Sequence, residues 1–124
     1  MNHITVIGNV GRDPENLKYT GSGLAVLNFS LADTTGKKGE NQHTSWYDIV
    51  CFGDMAETVI EQIKKGDRLQ VVGRLKVSDY EKKDGTKAKR VEILADDIAK
   101  SVKVRKASEG DVRAAFGLED EPEF

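Results

Sequence analysis

Ser45-Trp46-Tyr47-Asp48-Ile49-Val50-Cys51-Phe52-Gly53 alternates with a period of two, the spacing of an extended strand. Trp46, Asp48, Val50 and Phe52 fall on one face, and Tyr47, Ile49 and Cys51 on the other. The second set suits a core. The first carries the chain's only tryptophan and a phenylalanine with a carboxylate between them. A strand covered on both faces does not ordinarily hold that carboxylate. Two arrangements satisfy the pattern: an open aromatic face that binds something, or aromatics that roof a second small core. The window alone does not choose between them.

The rest of the chain sets the scale. At 124 residues it is one domain's length. A charged fraction of 32% and a mean hydropathy of -0.50 describe a soluble globular chain. No apolar run reaches the roughly 18 residues that a membrane span needs. The start, M-N-H-I-T-V-I-G-N-V, lacks the pattern of a signal peptide, and one cysteine, Cys51, allows no intrachain disulfide and suits a reducing compartment. The expectation is a cytoplasmic protein with no membrane association. The net charge of -2 hides an asymmetry. Residues 108–124 hold six acids and one base, leaving 18 bases and 15 acids in residues 1–107, a mildly basic body with an acidic tail.

Outward from the focal strand, residues 3–10 read as a first strand with a bend or bulge at Gly8 or Gly11, and 15–20 as a short one before Gly21-Ser22-Gly23. Leu24–Ala32 reads as a strand, and 33–44 as a loop with Lys37 and Lys38 at its tip. Asp54 to Lys65 has the one helical stripe (Met55, Val59, Ile60, Ile63). A capping-box-like start at Asp54 and Glu57 opens it, and Gly66 supplies a stop. Asp67–Tyr80 reads as a long strand with a bulge at Gly73. Leu69, Val71, Leu75 and Val77 face inward; Arg74, Lys76, Ser78 and Tyr80 face outward. A hairpin around Asp84-Gly85 returns into a strand over 88–102, with Val91 and Ile93 inward and Arg90 outward. Beyond it only a turn of helix near Asp111–Phe116 is expected. Three strands, a helix, then two strands with glycine bulges indicate an all-β, five-stranded barrel of the OB type, its helix between the third and fourth strands. The division is an OB domain over 1–102 and a short flexible acidic tail over 103–124.

Five segments in register, N-H-I-T-V-I-G-N-V-G-R-D-P-E, G-L-A-V-L-N-F-S-L-A, S-W-Y-D-I-V-C-F-G-D-M-A-E, I-K-K-G-D-R-L-Q-V-V-G-R-L and Y-E-K-K-D-G-T-K, resemble the bacterial single-stranded-DNA-binding protein family from about Asn2 to Val102. The resemblance implies an OB-fold homotetramer that coats single-stranded DNA in replication, recombination and repair. It also implies nucleoid association, and recruitment of replication and repair proteins through an acidic tip. The family's stacking aromatics fall on Trp46, Phe52 and Tyr80. The loop over 36–43 lacks the further aromatic of some members, and Asp48, Asp54 and Asp79 stand where some relatives carry bases. The tip, Leu118 followed by Glu119, Asp120, Glu121, Pro122, Glu123 and Phe124, lacks the usual Pro-Phe ending.

Binding of a single strand without sequence preference needs flat surfaces for bases and positive charge for phosphates. Candidates for the second are Arg12, Arg74, Lys76 and Arg90, with Lys37, Lys38, Lys82, Lys83, Lys87 and Lys89 on loops. An OB module that binds only protein, as an adaptor, would keep the fold and tail without the aromatic and basic face. Catalysis finds little support. His3 and His43 have no metal-ligand spacing, no phosphate-binding glycine motif occurs, and Cys51 lies inward with no base beside it. No catalytic residue, metal or cofactor is expected.

Overall fold

The structure is a computed structural model and describes residues 1–36, 39–102 and 108–117. Its elements are β1 (Ile4–Val10), β2 (Lys18–Tyr19), β3 (Ala25–Thr35), β4 (His43–Phe52), α1 (Asp54–Gln62), β5 (Arg68–Glu81), β6 (Lys87–Lys100) and α2 (Glu109–Ala115). The strands form one sheet in the order β1-β5-β6-β4-β3-β2, and a β1–β3 pairing closes it into a ring. All ladders are antiparallel except β4–β6, which pairs Asp48–Val50 with Glu92–Leu94 in parallel. Five strands closed on themselves, with α1 before the fourth barrel strand, make the OB architecture; β2 is a two-residue addition along β3.

Inward residues of every barrel strand meet in one core, with Leu27, Leu31, Ile49, Leu69, Val71 and Ile93 almost wholly buried. Ala56, Val59 and Ile63 join them from α1 and the residue after it. Two glycines make the closure possible. A side chain at Gly8 would come within 2.5 Å of the Ala32 carbonyl oxygen, where β1 crosses β3. One at Gly73 would lie 2.2 Å from the Leu94 carbonyl oxygen, and the β5–β6 register shifts there, between Val72 and Gly73. The bulge expected at Gly73 is present; of the bend or bulge expected at Gly8 or Gly11, the chain has a bend at Gly11, while β1 itself runs in unbroken register with β5 from Ile4 to Asn9.

Several boundaries differ from the sequence reading. The β3–β4 ladder reaches Thr35 and His43, so the loop is 36–42, not 33–44; paired Thr34 and Thr44 hydroxyls at 2.9 Å help extend it. Asp54 caps nothing. Gly53 is the N-cap, at φ 64° and with no side-chain cap, a conformation that favours glycine. Asp54 and Glu57 remain in the first turn, where carboxylates suit the helix dipole. The helix stops at Gln62, and Ile63 turns extended while staying buried. Lys64 and Lys65 donate their backbone N–H groups to carboxylates instead: Asp67 Oδ2 at 2.9 Å and Asp13 Oδ1 at 2.6 Å. Those partners offer what another helical turn would, so Gly66 serves the turn into β5 and not a helix stop.

Candidate nucleic-acid interface

The ladders place the outward residues of β5, β6, β4 and β3 in rows. Two residues along a strand separate neighbouring rows, about 6.5–7 Å. Lys76, Glu92, Asp48 and Ser30 are partners in sequence across the four strands, and Arg74, Leu94, Val50 and Asn28 form the next row. On the other side of the Asp48 row lie Ser78 opposite Arg90, and Trp46 opposite Ala32. At the far end of β4, Phe52 pairs with Val26, which pairs with Lys18. Tyr80 pairs with Ala88 near the tip of the β5–β6 hairpin.

Three aromatics on this surface are open to solvent: Trp46 is 62% exposed, Phe52 42% and Tyr80 42%. Trp46 and Phe52 are six residues apart, about 20 Å along one strand. The six-membered ring of Trp46 rests against Gly11, where a Cβ would meet its Cζ3 at 2.6 Å. The Arg90 guanidinium stands 5.5 Å from the centroid of the Tyr80 ring, within cation–π range. A groove of about 550 Å³ runs beside Trp46, lined among others by Arg12, Asn28, Ser30, Asp48, Arg90 and Glu92.

The candidate cations do not all reach this surface. Arg12 and Arg90 line the groove. Arg74 is exposed but faces Asp96 at 3.9 Å, an open pair that offsets part of its charge. Lys76 is exposed on the outer face beside Glu92. Lys82 and Lys83 sit in the hairpin turn, where Gly85 donates its N–H to the Lys82 carbonyl. Lys87 and Lys89, read as loop residues, are in β6 opposite Glu81 and Asp79, on the face away from Tyr80. Lys37, Lys38 and the tip residues Glu119 to Phe124 lie outside the described residues. Lys18 escaped the sequence reading. Its strand is two residues long, too short for alternation to show a face; only the Lys18–Val26–Phe52 pairing puts it beside an aromatic.

Three further expectations of facing need correction. Val50 is buried despite its outward parity, being flanked by Asn28 and Leu94 on a middle strand. Val77 and Val91 have inward parity yet are 53% and 47% exposed, because the hairpin outruns the barrel that would cover them. Cys51 is fully buried, and burial pushes its thiol up to about 12, so it stays protonated at neutral pH and is a poor nucleophile. Among the described residues no three His, Cys, Asp or Glu side chains gather as a metal site, and no helix is long and apolar enough to cross a membrane.

Comparison with known proteins agrees with the geometry. The model of the single-strand binding protein family matches residues 1–114. Among curated relatives, the single-stranded DNA-binding protein of Xanthomonas campestris pv. campestris is 35% identical over 102 residues, covering 79% of this chain and 59% of that protein. That of Paenarthrobacter aurescens is 40% identical over 111 residues, covering 84% and 64%. That of Mycolicibacterium smegmatis is 39% identical over 117 residues, covering 85% and 70%. The chain spans less than two thirds of the first two relatives' length. An OB barrel with outward aromatics, and a family match over nearly its whole length, lead to one conclusion: the chain belongs to the single-strand binding protein family.

Proposed function

We propose that this protein binds single-stranded DNA without sequence readout along its backbone, coating it during replication, recombination and repair. The observation that carries the reading is the exposure of Trp46, Phe52 and Tyr80 on one outer barrel surface. Each ring offers a surface on which a base stacks, worth about 1–3 kcal/mol. Arg12 and Arg90 beside Trp46, Lys18 beside Phe52, and Lys76, Lys82 and Lys83 along β5 and its turn supply charge for phosphates. Arg74 contributes less while Asp96 shares its charge. Lys87 and Lys89 would act only on a strand that wraps around the hairpin.

Titration with oligo-dT, followed through Trp46 emission, tests this reading. Binding is expected to quench the emission and to weaken with salt, at a log–log slope of about -0.7 per phosphate contacted. No binding would leave the protein-adaptor reading in its place. A flat salt dependence would remove the electrostatic part.

The same proposal includes assembly as a homotetramer. It is supported by exposed Ile7, Val77 and Val91 and by β1, which pairs with β3 only at Asn9 and Val10 and leaves the edge of Ile4–Gly8 without a ladder partner among the described residues. Sedimentation as a monomer at working concentration would contradict it. The acidic tip, ending at Phe124, is proposed to recruit replication and repair proteins. Deleting 118–124 is expected to abolish partner pull-down and to leave oligonucleotide affinity intact or higher.

A further inference from the structure

We propose that Gly11 is a positioning residue for single-strand binding: its bare main chain sets the tilt of the Trp46 ring on which a base stacks. The proposal rests on the single-strand reading and adds to it a residue that acts on the base only through the ring. Four glycines are so crowded that a Cβ would come within 3 Å of a neighbour. At Gly8, Gly36 and Gly73 that neighbour is main chain, the carbonyl oxygen of Ala32, Asn41 or Leu94. At Gly11 it is a side chain: the Cβ would lie 2.6 Å from Trp46 Cζ3 and 3.1 Å from Cη2. The φ angle of Gly11 is not positive, so its backbone is open to other residues. Room for the indole is what requires glycine there.

Contacts this close ordinarily belong to a packed core. Here the ring is 62% exposed, so the contact fixes it without covering it. The main chain that does the fixing is tied at and around Gly11. The Gly11 N–H donates to the Ser30 carbonyl at 3.1 Å; the Val10 N–H donates to the Asp67 carbonyl at 2.9 Å, and the Val10 carbonyl accepts the Gly66 N–H at 2.8 Å. Asp13 accepts the Lys65 N–H at 2.6 Å. A methyl group at position 11 would therefore displace the ring and not the chain. Since the ring borders solvent, it can swing aside at little cost to the fold. A ring that has swung aside must be immobilised again when a base arrives, which weakens binding. The next residue, Arg12, lines the groove beside Trp46, so one bend supplies both the support for the ring and a cation for phosphate.

The test uses the full chain and oligo-dT carrying a dye, so that Trp46 itself can be changed. Gly11→Ala is expected to bind about three- to tenfold more weakly at equal salt, with a urea midpoint near that of wild type. Trp46→Phe keeps a ring for stacking and lacks the atoms that a Cβ at position 11 would meet. Adding Gly11→Ala to it is expected to change affinity by less than about twofold. In 15N relaxation, the chain's single indole N–H is expected near the order parameter of rigid backbone in free wild type, about 0.85, and below about 0.6 in Gly11→Ala. Undiminished affinity of Gly11→Ala, an equal loss on the Trp46→Phe background, failure of Gly11→Ala to fold, or a wild-type indole below about 0.6 would each overturn the positioning role while leaving single-strand binding in place. Failure of wild type to bind oligo-dT would overturn the underlying reading itself.

Discussion

The two halves of the β5–β6 hairpin are built from the same two strands and obey different physics. In the near half, Leu69, Val71 and Ile93 are almost wholly buried, β1 flanks β5 as far as Gly73, and β4 flanks β6 from Glu92 to Leu94. Asn2 adds a last rung: its side chain donates to the Leu75 carbonyl at 2.9 Å and accepts the Leu75 N–H at 2.7 Å. Beyond Lys76 and Glu92 the pair continues to Glu81 and Lys87 with no further strand beside it among the described residues. There Val77, Val91 and Tyr80 are all open to solvent. One half holds the barrel together, and the other presents an open ring, with the Arg90 guanidinium between it and the groove beside Trp46. Stability and binding should therefore separate along one hairpin.

The largest effect belongs to the near half. Leu69→Ala is expected to lower unfolding stability by about 2–5 kcal/mol, the range for a cavity in a close-packed core. Urea denaturation measures it, and a loss below about 1 kcal/mol would mean the core collapses around the gap. Tyr80→Ala should do the reverse: stability within about 0.5 kcal/mol of wild type, and oligonucleotide affinity reduced by about 1–3 kcal/mol. If that variant unfolds early, the far half is structural after all. The smallest effect lies at the tip. The Thr86 hydroxyl and backbone N–H both donate to Asp84 Oδ1, at 2.6 and 3.0 Å, and hold its carboxyl below the usual range. A depressed folded value means these bonds are intact above the ordinary carboxylate pKa, about 4, and are lost as pH falls through the depressed one. The Thr86 amide resonance should shift in that acid window while near-half amides do not. Concerted movement of both would show the hairpin to be one cooperative unit.

Much of this was legible in residue order. Alternation put Trp46 and Phe52 on the open face and Ile49 and Cys51 in the core, and a glycine amid hydrophobic residues marked the Gly73 bulge. Alternation assigns a face, however, and says nothing about how far the barrel extends. Val77 and Val91 have core parity past the barrel's end, and Val50 has surface parity between neighbours that cover it. The helix misled for another reason. Met55, Val59, Ile60 and Ile63 keep helical spacing, but the bond from the Lys65 N–H to Asp13 joins residues far apart in the chain, and local pattern does not record it. The groove was hidden in the same way: Asp48 and Glu92 become neighbours only through the parallel ladder.

The contact between Gly11 and Trp46 has an effect on measurement as well as on binding. With nothing but hydrogen at position 11 the indole settles against main chain, so its orientation is decided by a segment 35 positions earlier in the sequence. A ring already at rest surrenders little rotational freedom when a nucleotide arrives. And since no second indole exists to blur the signal, any shift of that distant backbone should be seen as a change in colour or polarisation of a single fluorophore.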